Sequence, residues 1–258
     1  MAQSISWAAR RRAIVIIILA FIVAIIAFSF HRTVLYNAPS CTDGVQNQNE
    51  TGVDCGGVCP YLCTTQVEQP VVQFVRAIQN GGGRTDIIAY VENQNVSAGV
   101  SHAPYTIDMY GQEGTVIATH SGFVTLLPHT VTPIFIPGVA HGSIKITNAF
   151  LTFNTKKMHW VKRTATVSLL PFSNIQVTQG TVPHITATIT NPYTTVYRNL
   201  RVIISVFDRN DNIIAVSQTI VPVLQGLGTA PLVFTWGGPF SSVPVREDLF
   251  SILPLNGQ

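Results

Sequence analysis

The chain has 258 residues, 15 basic and 12 acidic side chains, a net charge of +3, and only 10% charged residues. Three of the bases, Arg10, Arg11 and Arg12, form one N-terminal run, so the rest of the chain is balanced and offers no electrostatic footprint for nucleic acid. Soluble globular chains carry about 25% charged residues; so low a content argues against a cytosolic enzyme and for an extracellular, β-rich protein with a surface of Thr, Ser, Asn and Gln.

Residues 13–30, AIVIIILAFIVAIIAFSF, are free of charge. A helix of about 20 apolar residues crosses a bilayer, whereas the apolar core of a cleaved signal peptide is usually about 7 to 15 residues. The stretch that follows, FSFHRTV, is too bulky for a small-x-small cleavage site. Arg10, Arg11 and Arg12 directly precede the run and by the positive-inside rule hold residues 1–12 in the cytoplasm. We expect a single-pass signal anchor in the cell membrane, with everything after residue 30 extracytoplasmic. A cleaved signal peptide and a buried globular helix are the alternatives.

Residues 31–65 hold all four cysteines, Cys41, Cys55, Cys59 and Cys63. Outside the cell they are expected to form two disulfides, with three pairings open. Between the first two stand Asp43, Asn47, Asn49, Glu50 and Asp54, with Gly44 and Gly52 to let the backbone wrap. Such an oxygen-rich set suits Ca2+, which takes six to eight oxygen ligands. The same residues also suit Asx-type caps of tight turns without any metal, and both readings stand at this stage. The ligand spacing disfavours an EF-hand, and zinc is disfavoured because the cysteines lack paired C-x2-C knuckles.

From residue 66 onward, short runs rich in Val, Ile, Thr, Tyr and Phe alternate with Gly, Pro, Asn and Asp clusters, the pattern of short strands with almost no helix. An internal repeat is visible. TDIIAYVENQN (85–95) aligns with PHITATITNPY (183–193), TIDMYGQEGTVIA (106–118) with IISVFDRNDNIIA (203–215), and VTPIFIPG (131–138) with APLVFTWGG (230–238). Each copy places a hairpin turn at Gly111–Gly114 or Asp208–Asn212, residue types that accept positive φ. Alternation should send Ile107, Met109 and Val116 into one core and Ile204, Val206 and Ile213 into another. The expected architecture is mainly β: two tandem immunoglobulin-like β-sandwiches over residues 66–172 and 173–258, behind the anchor and the disulfide-pinned module.

Two resemblances follow from these motifs. DMYGQEG and SVFDRND, each after a strand ending in Asn, resemble the FxLYD-type domain of bacterial surface proteins, although Gly111 stands where that family tends to have Asp, and Asp211 or Asn212 where Gly is usual. The pattern C-x-D-G-x-x-N-x-x-E-T-x-x-D-C-G-G-x-C resembles a small Cys-rich module of secreted and surface-anchored bacterial proteins. The resemblance to the first family implies an immunoglobulin-like sandwich and names no ligand.

No catalytic pattern is present: no G-x-S-x-G, no H-E-x-x-H, no P-loop. NGGGRTD (80–86) reads as a linker. Trp160 and Trp236 read as core or edge aromatics, with a carbohydrate platform as the weaker functional alternative. The expectation is a non-enzymatic surface protein that binds a protein or envelope partner or builds an assembly; the competing class is an accessory or carbohydrate-binding subunit of an envelope enzyme.

Overall fold

The apolar N-terminal run forms one helix, α1, Trp7–Phe30, in which no side chain is buried. Its 24 residues span about 36 Å at 1.5 Å per residue, enough for about 30 Å of hydrocarbon. A helix that is apolar on every side finds a partner for all of its faces only in lipid or a protein interior. Arg10, Arg11 and Arg12 lie within the helix itself, and the Arg11 guanidinium sits 5.6 Å from the Trp7 ring centre. The computed structural model describes residues 7–32, 40–47, 49–80, 83–142, 144–163 and 169–253. The first six residues of the expected cytoplasmic tail, and residues 33–39 and 48 of the cysteine module, lie outside these. The chain divides into two units, Met1–Asp54 and Cys55–Gln258, so the division falls inside the cysteine module.

Within Cys55–Gln258 thirteen strands are described: β1 Val71–Asn80, β2 Arg84–Asn93, β3 Ala98–Tyr110, β4 Val116–Leu126, β5 Thr130–His141, β6 Asn148–Phe153, β7 Val161–Lys162, β8 Phe172–Thr178, β9 His184–Thr190, β10 Tyr197–Phe207, β11 Ile213–Leu224, β12 Thr229–Thr235 and β13 Arg246–Ile252. They build four antiparallel sheets, ordered β1-β2-β5, β4-β3-β6, β12-β9-β8 and β11-β10-β13, with β7 adding to β3. The strand order of the first pair of sheets is reproduced by the second pair, β1-β2-β5 by β8-β9-β12 and β4-β3-β6 by β11-β10-β13. The fold is thus two immunoglobulin-like sandwiches behind one apolar helix.

Alternation along the strands places the cores. Ile87, Ala89 and Val91 of β2 enter the first core with Ile107, Met109 and Trp160. Their counterparts Ile185, Ala187 and Ile189 of β9 enter the second core with Ile204, Val206 and Phe234. The opposite faces tell the copies apart. Ile88 and Tyr90 of β2, with Ile78 of β1 and Phe135 of β5, pack against Ile203 and Phe207 of β10 and Val216 of β11 in a third apolar layer. Sheet β1-β2-β5 is therefore covered on both sides, and the two sandwiches share one buried interface. Where the sheets face outward the same register carries polar residues: Thr186 and Thr188 replace Ile88 and Tyr90, and Thr106 and Tyr110 replace Ile203 and Phe207.

The structure corrects two expectations. Val116 is 53% exposed and Ile213 packs on the shared layer, so neither reaches a sandwich core. The cause is a bulge after each hairpin turn: Met109 pairs Ala118 while Tyr110 pairs Val116, and Val206 pairs Ala215 while Phe207 pairs Ile213. The extra residue reverses the alternation, and Ala118 and Ala215 take the inward positions. The NGGGRTD stretch is no linker. Its flanks are the paired ends of β1 and β2, with Asn80 opposite Arg84.

Candidate functional site

The loop that gathers the acids is held by its own side chains. Asp43 accepts hydrogen bonds from Ser40 N at 3.0 Å, Val45 N at 2.9 Å and Asn47 Nδ2 at 2.9 Å. Those donors, Asn47 foremost, hold the Asp43 carboxyl below its usual range. Asp54 closes the loop from ten residues away, with both carboxylate oxygens on Gly44 N at 3.2 and 3.0 Å. Glu50, only 7% exposed, accepts from Asn47 N at 3.2 Å and Asp54 N at 3.3 Å. The backbone turns through left-handed conformations at Gly44, Asn49 and Asp54, with φ of 73°, 68° and 55°. Asn and Asp tolerate these values better than other side chains do, which accounts for their placement there.

All five expected Ca2+ ligands thus lie in one short loop, and the three carboxylates serve as acceptors for its N–H groups. A cation would draw on the same oxygens and compete with those donors. Asn47 Oδ1 is buried and accepts no hydrogen bond. Asn49 is exposed at a turn.

None of the four cysteines is a free thiol: Cys55 is bonded to Cys63, and Cys41 and Cys59 are likewise oxidised. Oxidation removes them as thiolate ligands or nucleophiles. The Cys55–Cys63 segment is built onto the first sandwich. Leu62 N donates to Trp160 O at 2.8 Å, Tyr61 bridges to Val161, and the Tyr61 and His159 rings are 5.2 Å apart.

Three buried polar residues, Asn93, Asn191 and Asp86, organise the sandwiches. Asn93 donates through Nδ2 to Ala98 O at 2.8 Å and Leu127 O at 2.9 Å, and its Oδ1 accepts from Asn95 N at 3.1 Å. Asn191 repeats the pattern with Thr195 O at 2.7 Å, Gln225 O at 2.9 Å and Tyr193 N at 3.1 Å. The signal was in the sequence: both copies end this strand in Asn. Asp86, fully buried, takes both Arg84 Nε and Nη2 at 3.0 Å, Gly138 N at 2.7 Å, and Asn80 Nδ2. Asn80 Nδ2 also reaches Val216 O of the second sandwich at 3.0 Å, the same carbonyl that accepts Trp236 Nε1 at 3.0 Å. This node ties the shared layer at one end. Its sequence signal was an Asp two residues after an Arg, in a glycine-rich turn.

Trp160 and Trp236 are 1% and 5% exposed, so neither ring offers a face to solvent. The basic residues Lys156, Lys157 and Lys162 are exposed around a short turn and β7.

No protein-family model and no curated protein matches this sequence. Among solved structures, the crystal structure of red sea bream transglutaminase is similar over 72% of this chain and 29% of its own, at 14% identity and a TM-score of 0.23. The chain spans less than a third of that protein, and a likeness this weak says nothing about activity.

Proposed function

We propose that this chain is a single-pass membrane protein, N-terminus in the cytoplasm, whose two β-sandwiches stand on the extracytoplasmic side and bind a protein partner or build a surface assembly without catalysing a reaction. The observation that carries this reading is the combination, in one chain, of a helix exposed on all faces and four oxidised cysteines after it. The helix calls for lipid, and persistent disulfides call for an oxidising compartment. The three arginines before the apolar core favour the inward N-terminus.

The binding role rests on how the buried polar groups are used. Asn93, Asn191 and Asp86 all satisfy backbone or side-chain partners inside the fold, as scaffold residues do. The reading is tested by extracting membranes with alkaline carbonate and by shaving intact cells with protease. The chain should stay in the membrane fraction and lose its sandwich fragment to the external protease. Release by carbonate, or protection in intact cells, would overturn it.

A further inference from the structure

The sequence holds two tripeptides of the form N-x-S/T: Asn49-Glu50-Thr51 in the cysteine module, and Asn95-Val96-Ser97 in the loop between β2 and β3. In an extracellular chain this tripeptide is an acceptor for N-linked sugar where it lies on a surface loop. The structure separates the two. Asn95 is half-buried, and both protons of its Nδ2 are committed, one to Glu68 O at 2.7 Å and one to Asn93 Oδ1 at 2.9 Å. Its Oδ1 accepts from Glu68 N at 2.8 Å. A sugar on Nδ2 would leave that nitrogen one proton, so one of those bonds would have to break in a partly enclosed place. Asn95 is a clasp that holds the chain at Glu68, and the fold accounts for it.

Asn49 is the opposite case. It is exposed in a turn with φ of 68°, and its side chain makes no hydrogen bond among the described residues. Thr51 is exposed as well, while Glu50 between them is buried and accepts from Asn47 N and Asp54 N. The amide and the hydroxyl of the tripeptide therefore both stand at the surface. A left-handed turn would accept Asp as well as Asn, but only Asn carries an amide. Val45 and Val53 of the same loop are 59% and 55% exposed, on a chain with only 10% charged residues. A bulky, solubilising glycan would cover them and supply the hydrophilic surface that charge does not. We propose that Asn49 is an N-glycosylation site and that Asn95 is not. In the transfer, Asn49 Nδ2 bonds to the anomeric carbon of a sugar carried on a polyprenyl diphosphate. The bond from that carbon to the diphosphate oxygen breaks, its electron pair leaves on the oxygen, and Nδ2 gives up one proton; nothing is oxidised or reduced. The transfer takes place on the extracytoplasmic side, so the inference rests on the topology proposed above.

The test is site-specific mass spectrometry of the full chain, purified from the membranes of cells that make it naturally. Peptides spanning Asn49 should carry added sugar mass on that residue, and peptides spanning Asn95 should carry none. Thr51→Ala, which leaves the asparagine and its turn in place, should abolish the addition. An unmodified Asn49 in the wild type would overturn the proposal, as would a sugar on Asn95 or an addition that persists in Thr51→Ala. Position 51 is exposed, and the wild-type peptides decide even if the variant is not recovered. A bare Asn49 in a chain whose reduced cysteines react with an external reagent would sink the glycan site and leave the anchored topology standing. Cysteines reached only after permeabilisation would sink both.

Discussion

At the scale of single residues, the repeat is held by side chains doing the same work twice. Asn93 and Asn191 each bridge the loop after their strand to a carbonyl 34 residues on. Replacing Asn191 by Ala strands two carbonyls and one N–H in a buried place, and we expect a loss of about 3 kcal/mol, measured by chemical unfolding. A loss under about 1 kcal/mol would mean that water replaces the amide.

The hairpin turns differ instructively. Asp208 Oδ1 accepts from Asn210 N at 2.8 Å and Asn212 N at 2.9 Å, whereas Gly111 fills its place in the first copy with no side chain. The Asn212 backbone bond leads the donors that hold the Asp208 carboxyl below its ordinary value of 3.8. A depressed folded-state value means that the bonds stabilise the turn above that ordinary value and are lost as pH falls through the lower one. Thermal midpoints of the wild type and Asp208→Asn should therefore converge on acidification below the ordinary aspartate range; midpoints that stay parallel would contradict the cap.

At the scale of elements, strand alternation was legible where the register is unbroken. The inward triplets Ile87, Ala89, Val91 and Ile185, Ala187, Ile189 follow directly from the aligned sequences. The bulges were not legible, because one inserted residue leaves no mark on composition while it inverts the face of everything after it. The shared layer was hidden differently. Its residues sit at the outward positions, where Ile88, Tyr90, Ile203 and Phe207 look like ordinary strand formers until another sheet is known to cover them. Giving β10 the residues of its own counterpart, Ile203→Thr with Phe207→Tyr, should uncouple the sandwiches and split one calorimetric transition into two. A single transition with only a lowered midpoint would show that the layer does not govern their coupling.

The acidic loop was legible as a cluster, and its two readings were not separable from residue types alone. Ligand chemistry and turn capping demand the same Asp and Asn side chains, and only the hydrogen bonds of Asp43, Glu50 and Asp54 reveal the caps. With capping as its sole role, the thermal midpoint of the oxidised chain is the same in millimolar Ca2+ and in EDTA, while Asp54→Ala lowers it in both. A midpoint that climbs with Ca2+ concentration and stops climbing in Asp54→Ala would assign a cation to the loop.

At the scale of the whole molecule, the low charge, the apolar helix and the oxidised cysteines are compatible with the anchored topology proposed above. Residues 13–30 of the helix carry no charge, and in the outward-facing sheets Thr186, Thr188 and Thr106 stand where the shared layer has Ile88, Tyr90 and Ile203.

The measurement that tests this most directly is labelling of intact cells with a membrane-impermeant thiol reagent, before and after mild reduction. The anchored, outward topology predicts that the chain is unlabelled at first and becomes labelled once the disulfides of Cys41, Cys55, Cys59 and Cys63 are reduced, with no need to permeabilise the cells. Labelling that requires permeabilisation and proceeds without reduction would place these cysteines in the cytoplasm as free thiols, and the account would fail.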